Sequence, residues 1–353
     1  MRKFHLLILL GFLSLTASAQ DIHFSQFYAA PVELNPALTG VMNCNQRLSL
    51  NYRNQWASVL RSNAFQTYNA SYDTRIPVGR YDYIGVGGSA WGDQAGSLNL
   101  HTYQVKGSFS FAKKMGGTRK KSHYLSAGVD VGLGSRGIDM GLAQWGNQNQ
   151  NGVFNKDLPS LESIFTQSQR ENFIYPDVSA GLLWFSVFDQ NNNLYIGGAY
   201  DHINRPNVSF QDAGKPVVLN SKFTLHAGGE FLMRDRMSLL PGLVTFLQGP
   251  YMQINGGTSV RFLMGSGRNS TESLQFGVWT RLGNRTELAG GGILMDALIL
   301  STRFDYQNFS IGFSYDLNMS SLNTASKGNG GFEFSMLYKI CGPERRSVYC
   351  PNF

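Results

Sequence analysis

From residue 47 to residue 340 the chain alternates apolar and polar side chains in segment after segment. In Phe309-Ser310-Ile311-Gly312-Phe313-Ser314-Tyr315-Asp316 the rings and Ile311 fall at odd positions, and the small or polar residues fall at even ones. Successive side chains of a strand point to opposite faces, so this pattern makes a ribbon with one apolar side and one polar side. About fourteen such strands are predicted, at 47–56, 65–75, 82–92, 98–112, 123–135, 177–188, 194–202, 222–233, 238–247, 251–262, 273–282, 296–306, 308–317 and 331–340. Most are close to the ~9–11 residues that a tilted strand needs to cross a bilayer.

In a soluble protein the apolar sides would meet in a core. The N-terminus points elsewhere. Met1-Arg2-Lys3 is a positive lead, Leu6 to Leu15 an apolar stretch, and Ala17-Ser18-Ala19 a small-residue cleavage site, so residues 1–19 read as a signal peptide with Gln20 next. The stretch is too short for a membrane anchor, and no lipoprotein cysteine follows it. No later run reaches the ~18 apolar residues of a transmembrane helix. An exported chain of strands that must satisfy every backbone group in lipid closes into a barrel. The expected fold is therefore all-β, a single transmembrane antiparallel barrel of outer-membrane type, with outer-membrane lipid around it.

An even strand count lets both termini lie on the periplasmic side. The expected loop lengths follow: 136–176, 203–221, 283–295 and 318–330 are extracellular, and 76–81, 189–193 and 307 are tight periplasmic turns. Two connections run against the pattern. Segment 113–122 is long and basic for a periplasmic turn, and Gln248-Gly249 is short for an outer loop. The layout is then a signal peptide at 1–19, a periplasmic or plug segment at 20–46, the barrel at 47–340 and a periplasmic tail at 341–353.

Composition agrees with a barrel: glycine (40) and aromatics (13%) are plentiful and charged residues sparse at 15%. The net charge of +7 becomes +5 once Arg2 and Lys3 leave with the signal (7 − 2), a modest excess that fits a solvated surface. Nucleic acid is not expected as a ligand of an exported chain. The polar faces carry Arg53, Asp73, Lys106, Lys222, His226, Glu230, Arg261, Arg281, Arg303, Asp305, Glu333 and Lys339. On the lipid face each charge would cost ~2–4 kcal/mol near the midplane, which assigns these side chains to the lumen. Opposite charges there are expected to cross-link it, so the interior is filled by these networks or by the segment 20–46 in preference to an open channel.

The three cysteines, Cys44, Cys341 and Cys350, allow one disulfide in an oxidising compartment. Cys44 and Cys341 flank the first and last strands, which neighbour each other in a closed barrel. Cys341 with Cys350 closes a short local loop and is slightly favoured. Nothing points to catalysis. The mature histidines His23, His101, His123, His202 and His226 lack metal-ligand spacing, and no Gly-x-Ser-x-Gly elbow occurs. Gly85-Val86-Gly87-Gly88-Ser89-Ala90 lies inside a strand with no following helix, and reads as glycines thinning a barrel wall. No enzyme activity, cofactor, metal or small-molecule substrate is expected.

The chain resembles the PorP/SprF family of type IX secretion outer-membrane proteins. The resemblance lies in Asp21-Ile22-His23-Phe24-Ser25-Gln26-Phe27-Tyr28-Ala29-Ala30-Pro31, Asn35-Pro36-Ala37-Leu38-Thr39-Gly40 and Asn51-Tyr52-Arg53-Asn54-Gln55-Trp56. It returns at His202-Ile203-Asn204-Arg205-Pro206, Leu225-His226-Ala227-Gly228-Gly229, the block from Phe313 to Leu322, Gly331-Phe332-Glu333 and Cys350-Pro351-Asn352-Phe353. It implies a barrel that docks on the periplasmic secretion ring or anchors the C-terminal domain of a secreted adhesin, as in gliding bacteria. It carries no catalytic residues. The enlarged segment 283–295 departs from the family's pattern. Candidate partner-binding residues are the aromatics Phe24, Phe27 and Tyr28 of the lead-in, and Trp145, Phe154, Phe165, Phe173 and Tyr175 of the long loop 136–176. The alternatives are a lead-in packed on the barrel floor and a lid over the barrel's own mouth. Lys113, Lys114, Arg119, Lys120 and Lys121 form a basic periplasmic turn, read as solvated or as facing an acidic partner. The alternative function is a passive porin or small-solute transporter.

Overall fold

A computed structural model describes residues 21–118, 121–143, 146–150, 153–155, 157–158, 171–189, 192–210, 216–264, 272–284, 292–320, 323–342 and 350. The proposed signal peptide lies outside them. Fourteen antiparallel strands close into one barrel. In chain order they begin with β1 (Gln46–Gln55), β2 (Phe65–Val78), β3 (Asp82–Ala95), β4 (Leu100–Gly117) and β5 (Ser122–Gly137). A small hairpin, β6 (Asn149–Gln150) with β7 (Val153–Phe154), interrupts the long loop after β5. The barrel resumes with β8 (Asn172–Asp189), β9 (Asn192–Asp201), β10 (Lys222–Arg234), β11 (Met237–Gln248) and β12 (Tyr251–Leu263). It ends with β13 (Ser273–Asn284), β14 (Ile293–Tyr306), β15 (Phe309–Asn318) and β16 (Asn329–Ile340). Closure comes from β1 against β16, in a register running from Gln46 opposite Ile340 to Gln55 opposite Gly331. No helix of the described residues is long and apolar enough to cross a membrane.

The faces decide the solvent. On β15 Phe309, Ile311 and Phe313 are exposed, the last at 48%, whereas Ser310, Ser314 and Asp316 are buried at 6% or less. A soluble protein does the reverse. The twelve charged or His side chains expected in the lumen are all buried or half-buried there. Lipid outside and polar groups inside are the arrangement of an outer-membrane barrel.

One end carries the connections 79–81, 118–121, 190–191, 235–236, 264–272 and 307–308, together with Gln46 and Ile340. The other carries 56–64, 96–99, 138–171, 202–221, 249–250, 285–292 and 319–328. Short turns belong to the periplasm and long loops to the outside, so the second end faces out. Two expectations about strand length are corrected. The basic segment after 112 is mostly strand: Lys113 and Lys114 pair with Leu125 and Tyr124, and a bulge before Gly116 absorbs the extra residue. Likewise β8 does not stop at Pro176 but runs on to Asn172, because Gly134 lets the Tyr175 ring lie flat on the opposing strand; a Cβ there would overlap it. Proline is tolerated because the β8–β9 ladder ends at Ala180, so the side of the strand where Pro176 lacks its N–H has no ladder partner to lose.

The seam also overturns the favoured disulfide. Cys44 precedes β1 and Cys341 follows β16, and the Gln46–Ile340 register brings their Cα atoms to 4.3 Å, where they are bonded; Cys350 is not in a disulfide. Barrel closure outweighs the local loop that favoured Cys341 with Cys350.

A charge on the outer face measures the solvent directly. Val278, at the middle of β13 and 53% exposed, replaced by Arg should cost ~2–4 kcal/mol of unfolding free energy in lipid vesicles. Denaturant titration checks this, and an unchanged midpoint would contradict a lipid-facing β13.

Candidate functional site in the plugged lumen

Residues 21–44 run down the inside of the barrel, from the outer mouth to the periplasmic rim. Local chemistry shapes this plug. Pro31 starts a single helical turn, Pro31–Leu34, where its missing N–H costs nothing. The Asn35 side chain then accepts from the Ala37 N–H and caps the next turn, Pro36–Leu38. Gly40, at φ +73°, turns the chain toward β1, and a Cβ there would collide with Gly85. The glycines of β3 and their neighbours thin the wall where the plug presses closest: a Cβ on Gly85 would overlap the Thr39 carbonyl, and one on Gly128 would overlap Pro36.

A plug with so little regular structure leaves backbone groups to satisfy, and luminal side chains satisfy them. Glu333 of β16 accepts from the backbone N–H groups of Ser25 (2.6 Å) and Gln26 (2.9 Å). Ser110 and Ser126 donate to the carbonyls of Thr39 (2.6 Å) and Ala37 (2.8 Å). Asp73 accepts from the Gly40 N–H at 2.7 Å, and Arg47 clamps Asp73 at 2.8 Å while donating to the Leu38 carbonyl at 3.2 Å. Asn35 donates to the carbonyls of Leu182 (3.1 Å) and Gly198 (3.2 Å) and lies 3.0 Å from His226.

Charge holds the upper half. Arg53 pairs with Glu333 at 2.7 Å and Asp316 at 3.3 Å, Arg281 pairs with Asp316 at 2.5 Å and donates to Ser25 Oγ, and Ser25 Oγ donates to Asp316 at 2.9 Å. Each member is almost wholly buried, so deleting one would leave its partner's charge uncompensated, at roughly 3–5 kcal/mol. At the top Asp21 lies 2.5 Å from His202 Nε2 and 3.2 Å from Lys222, and His202 Nδ1 lies 2.8 Å from Asp177. Burial alone would lower the pKa of His202, but the Asp21 and Asp177 carboxylates outweigh it and push the imidazole up to about 9. Burial likewise opposes the charge on Asp21, yet His202 and Lys222 hold its carboxyl well below the usual carboxylate range.

The predicted partner residues separate. Phe24 and Phe27 are buried inside the lumen, and Tyr28 is half-buried there; Phe27 and Tyr28 pack on Trp279 with ring centroids 5.6 and 5.9 Å apart. Phe173 and Tyr175 are not on an exposed loop: they belong to β8 and are buried with Val208 and Leu219 beneath the loop after β9. Phe154 stands exposed on β7. Trp145 and Phe165 lie outside the described residues. Sequence reasoning placed Arg53, Arg281 and Glu333 on polar faces but did not join them to the plug. It missed the Asp21–His202–Asp177 latch, whose members are 25 to 181 residues apart. Among the described residues no group of three His, Cys, Asp or Glu side chains is placed to hold a metal ion.

The latch sets a pH dependence. His202 has a raised folded pKa, so its contribution is complete below the unfolded value of ~6.5 and is lost as pH rises toward about 9. Asp21 works oppositely and matters only in acid. Amide hydrogen exchange of the plug in the detergent-solubilised barrel should therefore accelerate between pH 6.5 and 9 beyond the intrinsic rate, and His202→Gln should abolish that excess. A pH-independent protection factor would contradict the latch.

Solved structures similar to this chain include the TodX monoaromatic hydrocarbon channel deltaS2 mutant (12% identity, 89% of this chain and 94% of that one, TM-score 0.48). The Pseudomonas putida toluene transporter TodX follows (11%, 88% and 93%, 0.47), as does CdiB from Acinetobacter baumannii (10%, 84% and 60%, 0.45). A comparison with curated proteins finds no match. Residues 16–338 match the family described as type IX secretion system membrane protein PorP/SprF. With nearly the whole length matched and a closed barrel of lipid-facing strands, the chain belongs to the PorP/SprF family of outer-membrane proteins of the type IX secretion system.

Proposed function

We propose that this barrel is a sealed, non-enzymatic scaffold of the type IX machinery, which binds or anchors an exported surface protein such as an adhesin, or docks on the periplasmic secretion ring. The observation that carries the reading is the plug. Its backbone is tied to β1, β2, β4, β5 and β16 through Ser49, Asp73, Ser110, Ser126 and Glu333, and its Asn35 side chain reaches His226 on β10. A passive porin needs a continuous aqueous path, and the buried Arg53, Arg281, Asp316 and Glu333 cluster stands across it. A barrel so filled offers other proteins its two rims and its outer mouth. Family membership supports partners among the secretion components.

Planar-bilayer recording tests the sealing. The full-length protein should show no steady conductance, and deletion of residues 21–40 should open a channel that restoring the segment closes. Steady current from the intact protein would favour the porin. Purification of the tagged barrel from mild detergent should co-isolate secretion components or an exported surface protein.

A further inference from the structure

The plug stops short of the outer rim. Above its first residues lies an open vestibule of about 670 Å³, walled by β1 to β4 on one side and β12 to β14 on the other. That volume falls in the range of ligand pockets, ~300–1,000 Å³, and admits a few residues of chain but not a folded domain.

Among the described residues that line it, the accessible charge is of one sign. Arg53 and Arg281 reach the floor, but their side chains are 4% and 3% exposed and engaged by Asp316 and Glu333. His23 beside them is held neutral, because burial and then the two guanidinium groups push its pKa well below 6.5. Asp21 is spent on the latch. Two carboxylates remain. Asp296 of β14 is 46% exposed and only loosely paired, 3.4 Å from Arg281. Asp93 of β3 is half-buried and accepts a hydrogen bond on one oxygen from the Thr67 hydroxyl at 2.6 Å. Aromatic rings stand above them: Trp56 packs edge-on against Phe65, 6.0 Å between centroids, with Tyr251 on the β12 side.

Carboxylates at the base of an aromatic-walled cup match a long cationic side chain, whose ammonium or guanidinium takes the carboxylate while its methylenes lie on the rings. We propose that the outer vestibule is a receptor for a short, extended peptide segment bearing lysine or arginine, presented by the exported partner, with Asp93 and Asp296 as its charge-reading residues. This deepens the scaffold reading and rests on it: the barrel holds its partner by a basic protrusion inserted above the plug.

The test uses the purified full-length barrel in detergent with fluorescent pentalysine and pentaglutamate peptides as probes, read by anisotropy. Pentalysine should bind and pentaglutamate should not, with an affinity that falls as salt rises. Asp93→Asn with Asp296→Asn should weaken pentalysine binding by about tenfold, in line with two exposed ion pairs. The double replacement Asp93→Lys and Asp296→Lys should instead bind pentaglutamate, a gain that an unfolded protein would not show. Equal binding of the two peptides, preference of the native barrel for pentaglutamate, or indifference of pentalysine to both double variants would overturn the site. The same preparation in a planar bilayer separates the two readings. A silent barrel without pentalysine binding overturns the receptor alone, and a conducting one overturns the scaffold.

Discussion

A strand in hydrocarbon has no water to receive its amide and carbonyl groups, so the pairing of β1 with β16 is the constraint on which this molecule depends. Until that seam closes, two edges would stand unpaired in lipid. Once it closes, every strand has two neighbours and the apolar ribbons can face outward. The Cys44–Cys341 bond lies just beyond the seam and ties together the two chain ends that meet there. Closing a loop this long across the whole barrel removes more freedom from the unfolded chain than a short tail loop would.

Closure creates a second problem, a lumen lined with charge and hydroxyl groups on fourteen inner faces. Water could solvate it, as in a porin. Here the chain supplies its own solvent. The plug is short of regular structure and therefore rich in unpaired backbone groups, and the lumen is rich in Asp, Glu, Ser and Arg side chains that need partners. Each answers the other: Glu333 receives two successive backbone N–H groups while Arg53 neutralises it. Such pairs are costly to bury singly and tolerable only when complete. The same completeness leaves Asp93 and Asp296 as the vestibule carboxylates, among the described residues, that the plug does not engage.

Local rules misjudged the chain where a neighbour across the barrel mattered. Pro176 looks like a strand breaker, yet Gly134 on β5 gives the preceding Tyr175 ring room and the strand extends back to Asn172. The lysines after Ala112 look like a solvated turn, yet they extend a ladder that Leu125 and Tyr124 supply from β5. Phe173 and Tyr175 look like exposed loop aromatics, yet Val208 and Leu219 from another loop cover them. In each case the deciding contact comes from outside the segment being read.

Alternation of period two, an apparent export signal and the scarcity of charge on one face were enough, from the sequence, to establish fourteen strands, their inward and outward sides and the membrane as solvent. Those properties are local, because each side chain's face follows from its position in its own strand. Disulfide partners, the path of residues 21–44 and the sites at latch and vestibule were decided by the tertiary structure. They join residues as far apart as Ser25 and Glu333 or Asp21 and His202, and such distances are set by closure of the barrel and the register of its strands, which no single segment encodes.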